Sequence, residues 1–174
     1  MMTERDQHNV SKEADIVAGI DHKNIVCVIG SFFFQNIFYV VLELASGGDL
    51  RNQITTQRRK KEPWPKSFIA NWLGQLLCGL ECLHGMRILH RDIKSANILV
   101  ELSGPGESSV PILKFTDFGM AKDFVTGDDY LASTVCGTRL YMSPEALAGA
   151  KYSFDADMWS LGAVFYEIWY SIYL

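Results

Sequence analysis

The stretch Leu89-His90-Arg91-Asp92-Ile93-Lys94-Ser95-Ala96-Asn97-Ile98-Leu99-Val100 sets three side chains with distinct chemistry close together, and Asp117-Phe118-Gly119 adds a fourth further along. Asp92 is a carboxylate suited to orienting a hydroxyl or accepting its proton. Lys94 offers a compact positive charge for phosphate oxygens. Asn97 and Asp117 offer amide and carboxylate oxygens, the donors magnesium takes together with water and phosphate. Transfer of a phosphoryl group to a hydroxyl asks little covalent work of a protein: it needs an aligned nucleophile, metal on the phosphates and neutralised charge. A lone His-Arg-Asp more often marks a turn with a surface ion pair. Lys94, Asn97 and Asp117, in this order, outweigh that reading.

The surrounding pattern predicts how those residues are held. Apolar Ile16, Val17 and Ile20 predict a helix within residues 3–20, closed at 19–21. Residues 25–34 and 37–44 are rich in Val, Ile, Phe and Tyr and flank Gln35-Asn36, which predicts a hairpin. Ser46-Gly47-Gly48-Asp49 breaks that run and serves as a hinge into a helical region. A short helix is expected over 49–58. After Pro63-Trp64-Pro65, Phe68, Ile69, Trp72, Leu73, Leu76, Leu77, Leu80 and Leu83 recur at helical spacing up to His84-Gly85. Cys78 and Cys82, one turn apart, are expected to pack in the core. Two short strands over 97–101 and 112–116 enclose a tip rich in Gly and Ser, residues 120–144 suit a mobile regulatory loop, and 155–170 return to helix.

These motifs resemble the catalytic and metal-binding loops of eukaryotic protein kinases. The resemblance implies an α+β, protein kinase-like two-lobed fold, truncated: a partial small lobe with one helix and two strands, then the helical large lobe through the helix bearing Asp157. It divides residues 1–174 into a small-lobe remnant at 1–44, a hinge at 45–49 and a large lobe at 50–174, incomplete at its C-terminus. His90 and Phe118 are implied to be links of a hydrophobic column, with Val17 and Val28 above and Asp157 anchoring it below. Glu13 matches the helix glutamate that pairs with a strand lysine. Leu42 resembles the gatekeeper, the backbone from Glu43 to Ala45 the segment that binds adenine, and Leu99 the residue beneath the base. Asp49 matches a position near ribose and substrate, and it suits equally a cap of the next helix.

Gly137-Thr138-Arg139-Leu140-Tyr141-Met142-Ser143-Pro144-Glu145 resembles the substrate-facing loop and the A-P-E motif, with Ser143 in place of Ala. Lys94 with Thr138 matches serine/threonine kinases. Thr134 is implied as a phosphorylation site, with Arg91 and Lys122 to receive the added charge. The closest subfamily match is to NIMA-related kinases, with the Unc-51-like group next. ATP and Mg2+ follow as cofactors and a Ser/Thr-containing protein as substrate. No G-x-G-x-x-G loop and no V-A-I-K strand precede Glu13, so weak or absent Mg-ATP binding and low activity are expected of the chain as written. A non-catalytic kinase-like binding module is the rival: the missing lysine favours it, and the intact Asp92, Lys94, Asn97 and Asp117 oppose it.

Composition sets bounds. With 174 residues, 48% hydrophobic and 21% charged, the chain can bury a core. A net charge of −4 gives no electrostatic reason to expect nucleic acid or an anionic membrane. Arg58-Arg59-Lys60-Lys61 reads as a solvated face. Four cysteines without C-x-x-C spacing read as reduced thiols, and the charged N-terminus lacks a signal-peptide core. A cytosolic or nuclear location is therefore expected. Residues 158–174 are apolar but carry Glu167, which predicts a buried core helix rather than a membrane span.

Overall fold

The computed structural model describes residues 17–35, 37–102, 110–123 and 137–173. Glu13 and Thr134 lie outside the described residues, as do Cys136 and the 103–109 tip; at Lys122 only the backbone is described. The elements are β1 (Val28–Phe34), β2 (Ile37–Leu42), α1 (Leu50–Lys60), α2 (Lys66–Gly85), β3 (Ile88–Leu89), β4 (Ile98–Glu101), β5 (Ile112–Phe115), β6 (Lys122–Asp123), α3 (Pro144–Leu147) and α4 (Phe154–Tyr173), with short 3-10 turns at Ser95–Asn97 and Arg139–Tyr141.

Among the described residues three antiparallel pairs form: β1 with β2, β3 with β6, and β4 with β5. The β4–β5 hairpin is the platform of the molecule. On one edge Val26 N–H donates to the Phe115 carbonyl at 2.9 Å and Phe115 N–H to the Asn24 carbonyl at 2.9 Å. On the other, Gly47 N–H donates to the Val100 carbonyl at 2.7 Å and Val100 N–H to the Gly48 carbonyl at 2.8 Å. Only glycine fits at position 47, because a Cβ there would stand 2.7 Å from the Val100 carbonyl oxygen.

α2 buries Ile69, Trp72, Leu76, Leu80 and Leu83 along one stripe, as the 3.6-residue period demands. It packs on β5, where Leu113 and Phe115 are fully buried. Gln75 joins the two: its Oε1 accepts Leu113 N–H at 2.8 Å and Asn24 Nδ2 at 3.0 Å. Asp49 caps α1, its Oδ1 accepting Asn52 N–H at 2.8 Å.

Three expectations change. Cys78 is exposed and only Cys82 packs against the core, since the buried stripe of α2 runs through Leu76 and Leu80 instead. Helix α4 is amphipathic: Leu161, Val164 and Ile168 are buried while Trp159, Tyr166, Trp169 and Tyr170 are exposed. No helix among the described residues is long and apolar enough to cross a membrane. Within 120–144, β6, the 3-10 turn and the first turn of α3 are regular. Ser143, buried, caps α3 by accepting Ala146 N–H at 3.4 Å, so the Ala-to-Ser departure gives its hydroxyl a partner.

Candidate active site

The loop between β3 and β4 is anchored from α4. Asp157, buried at 1% exposure, accepts His90 N–H and Arg91 N–H, each at 2.9 Å, and His84 Nε2 lies 2.9 Å from its carboxylate. Arg91 adopts φ 68°, a left-handed conformation a side chain rarely takes. The anchor on either side of it holds that conformation. Arg91 Nε donates to the Met120 carbonyl, which ties the loop to the segment after Asp117.

Asp92 stands at the centre. Its Oδ2 lies 2.6 Å from Lys94 Nζ and accepts Asn97 Nδ2 at 3.0 Å; Asn97 Nδ2 also donates to the Asp92 carbonyl at 2.9 Å. Its Oδ1 accepts both Thr138 N–H at 2.9 Å and the Thr138 hydroxyl at 3.0 Å. Burial pushes the Asp92 carboxyl up, but the hydrogen bonds from Lys94 and Thr138 and the Lys94 charge win, leaving it below its ordinary value. It stays ionised at neutral pH.

Since the Asn97 Nδ2 group is committed to Asp92, Asn97 Oδ1 is left as an acceptor. Thr116 N–H donates to the Asn97 carbonyl at 3.0 Å, which brings Asn97 beside the segment that leads from β5 to Asp117. Asp117 is exposed and adopts φ 60°. An amide oxygen just before β4 and a carboxylate just after β5 fit a hard divalent cation such as Mg2+.

His90 is fully buried, its ring 4.9 Å from the Phe118 ring and 5.7 Å from Phe115. Burial pushes the imidazole down, so it is neutral. Nε2 lies 3.2 Å from the Thr116 carbonyl and Nδ1 3.4 Å from Asp92 N. That pattern assigns the tautomer with Nε2–H donating and Nδ1 accepting. Val17, Val28, Leu42, Asp117 and Phe118 line one cavity of about 340 Å³. The expected column members and the expected gatekeeper thus meet.

The remaining positions fall near the hairpin. Leu99 pairs with Lys114 across β4–β5 and bridges to Asp49. Glu43 N–H donates to the Cys27 carbonyl at 3.0 Å, and the Ala45 carbonyl accepts Gly48 N–H at 3.3 Å. Thr138 is followed by the 3-10 turn whose Tyr141 hydroxyl donates to Glu167 at 2.8 Å and lies 3.3 Å from Ser95 Oγ. Sequence reasoning missed Lys114. The available signal was a lysine between Leu113 and Phe115 in an apolar strand, because a cation in a buried run requires a carboxylate partner.

A buried loop anchor, an ionised Asp92 paired with Lys94, and oxygen donors at Asn97 and Asp117 define the class, and residues 1–172 match the sequence model of the protein kinase domain. The chain belongs to that family. It is 35% identical over 172 residues to the serine/threonine-protein kinase nekl-2 of Caenorhabditis elegans, covering 96% of this chain and 46% of the relative. It is 36% identical over 156 residues to the serine/threonine-protein kinase Nek11 of Homo sapiens, covering 90% and 23%. The probable serine/threonine-protein kinase fhkD of Dictyostelium discoideum is 37% identical over 171 residues, covering 92% and 22%. Several relatives are thus Nek kinases, in line with the resemblance to the NIMA-related group. The chain spans between 22% and 46% of the length of these three curated relatives.

Proposed function

We propose that this protein transfers the γ-phosphoryl group of ATP to serine and threonine hydroxyls of protein substrates. The observation that carries the reading is the saturated Asp92 carboxylate, held ionised by Lys94, Asn97 and Thr138 within one loop. All four of its acceptor directions are taken, so an incoming hydroxyl displaces one donor. Lys94 is the donor to leave: it is the partner whose charge has a second use, on the oxygens of the phosphoryl group. The hydroxyl proton then passes to Asp92 as the hydroxyl oxygen bonds to the γ-phosphorus and the bond from that phosphorus to the bridging oxygen breaks, releasing ADP.

Asn97 Oδ1 and the Asp117 carboxylate would hold Mg2+, which would neutralise charge on the phosphates. Leu42, the Glu43–Ala45 backbone and Leu99 receive the base, and Asp49, besides capping α1, stands near ribose and substrate. Thr138 positions Asp92 and faces the substrate. Phosphorylation of Thr134, received by Arg91 and Lys122, regulates the loop. A cytosolic or nuclear setting fits the free thiols of Cys27, Cys78 and Cys82.

Radiolabel transfer from ATP, with magnesium, to a mixed peptide library tests this. Label is expected on serine and threonine at the low rate that follows from weak Mg-ATP binding, and Asp92→Ala or Asp117→Ala should each cut that rate roughly a thousandfold, several kcal/mol of transition-state stabilisation. Equal labelling by the Asp92→Ala protein, or label confined to tyrosine, overturns the reading. A folded parent that transfers none is the non-catalytic binding module.

A further inference from the structure

Lys114 lies in the middle of β5 between two core residues, and it is only 8% exposed. A cation there must be compensated, and two carboxylates do so. Its Nζ lies 2.9 Å from both oxygens of Glu43 and 3.4 Å from Glu101. Glu101 comes from the paired strand β4. Glu43 comes from elsewhere in the chain: it is the first residue after β2 and the start of the segment assigned to the base.

The Glu43 side chain does two jobs. Its Oε1 accepts Cys27 N–H at 2.8 Å while its own backbone N–H donates to the Cys27 carbonyl at 3.0 Å. One residue is thereby tied to the strand before it by backbone and side chain, and to the platform by charge. Burial pushes the Glu43 carboxyl up and the Lys114 ammonium down, yet their mutual hydrogen bonds and charge reverse both, so the pair is ionised over the whole neutral range. Leu99 and Lys114 are directly paired in register and Glu101 is two residues beyond Leu99, so all three side chains share one face of the hairpin.

We propose that Lys114 is a positioning residue that fixes the 43–45 segment over the Leu99 face of the β4–β5 hairpin, setting the width of the slot that takes the base. The consequence for nucleotide rests on the kinase reading above; the fixing of the segment does not. Lys114→Met removes the cation and leaves Glu43, partly solvent-facing, to turn to water. Lys114→Arg keeps the charge and the reach. Glu43→Gln keeps an oxygen for Cys27 N–H but loses the charge, and Glu101→Gln removes only the longer contact.

Hydrogen exchange read residue by residue, with calorimetric titration of Mg-ATP, tests the proposal on these four variants. Lys114→Met should raise exchange at the Cys27 and Glu43 amides about tenfold, the loss of one charge-assisted tie, while the Leu80 and Leu83 amides in α2 keep parent rates. Lys114→Arg and Glu101→Gln should stay close to parent, and Glu43→Gln should loosen the Glu43 amide. Where the parent takes up Mg-ATP, Lys114→Met should weaken it about tenfold. Unchanged exchange at Cys27 and Glu43, or an equal rise across α2, overturns the proposal. If the parent takes up no nucleotide, the consequence drawn for the base slot of this chain fails separately, and the two amides still decide the role of Lys114.

Discussion

A carboxylate that works at neutral pH must resist its own burial, and in this loop neighbouring residues divide that task. Asp92 is kept ionised by donors, whereas His90, three-ring partner of Phe115 and Phe118, is kept neutral by burial. The neutral imidazole matters because Nδ1 faces Asp92 N–H, and a protonated ring has no acceptor to offer there. The folded-state His90 value lies below the unfolded one, so the unfolded chain binds the extra proton. Its contribution is complete above about pH 6.5 and is lost progressively as pH falls below that. Urea titrations of the parent and of His90→Phe at pH 7.5 and 5.5 check this. The parent should lose more stability on acidification than the variant; identical slopes would show that His90 does not titrate against folding.

At the scale of elements, the loop is shaped by what grips it from outside. α4 supplies Asp157, whose carboxylate satisfies two backbone N–H groups of the β3–β4 loop and pairs with His84 from α2. Asp157→Ala leaves those buried donors unsatisfied and should cost about 3 kcal/mol or more, read from the urea midpoint; a loss under 1 kcal/mol would mean that water replaces the anchor. Gly137 grips from the other side, with φ 103° and the position of a Cβ only 2.5 Å from the Arg91 carbonyl. Gly137→Ala should therefore push Arg91 and Thr138 apart and cost about 1–3 kcal/mol, with a larger fall in phosphoryl transfer than in stability. Local pattern made most of this legible. Apolar period and the Pro-Trp-Pro break gave α2, Gln35-Asn36 gave the β1–β2 turn, and the motif order gave Asp92, Lys94, Asn97 and Asp117 as neighbours. What stayed hidden depends on contacts distant in sequence: the Glu43–Lys114 tie joins positions 71 apart and the Asp157 anchor positions 67 apart. A hydrophobic run also cannot tell which side of α4 faces the core. Its exposed aromatics were for that reason expected to be buried.

Among the described residues the named strands form two-stranded pairs, and the exposed β1–β2 pair shapes the behaviour of the molecule in solution. In β1–β2, Phe38, Val40 and Leu42 turn toward the cavity with Phe118, while the alternate positions form the outer face. On that face Phe32 stacks on Tyr39 at 5.2 Å, beside Phe34 paired with Ile37. Phe32, Phe34 and Ile37 are each more than half exposed. A two-stranded ribbon with an exposed aromatic outer face is a template for association. The 174-residue chain should accordingly show species larger than a monomer that grow with concentration in sedimentation velocity. Phe32→Lys with Phe34→Lys places two charges on the face at the cost of one aromatic pair, about 1 kcal/mol. These side chains support nothing beneath them, so the platform and the Asp92 loop stay intact. The double variant should sediment as a monomer at concentrations where the parent associates, with a melting temperature within a few degrees of the parent's. Association undiminished by both lysines would place the contact elsewhere, with the exposed Trp159 and Tyr166 face of α4 the next to substitute.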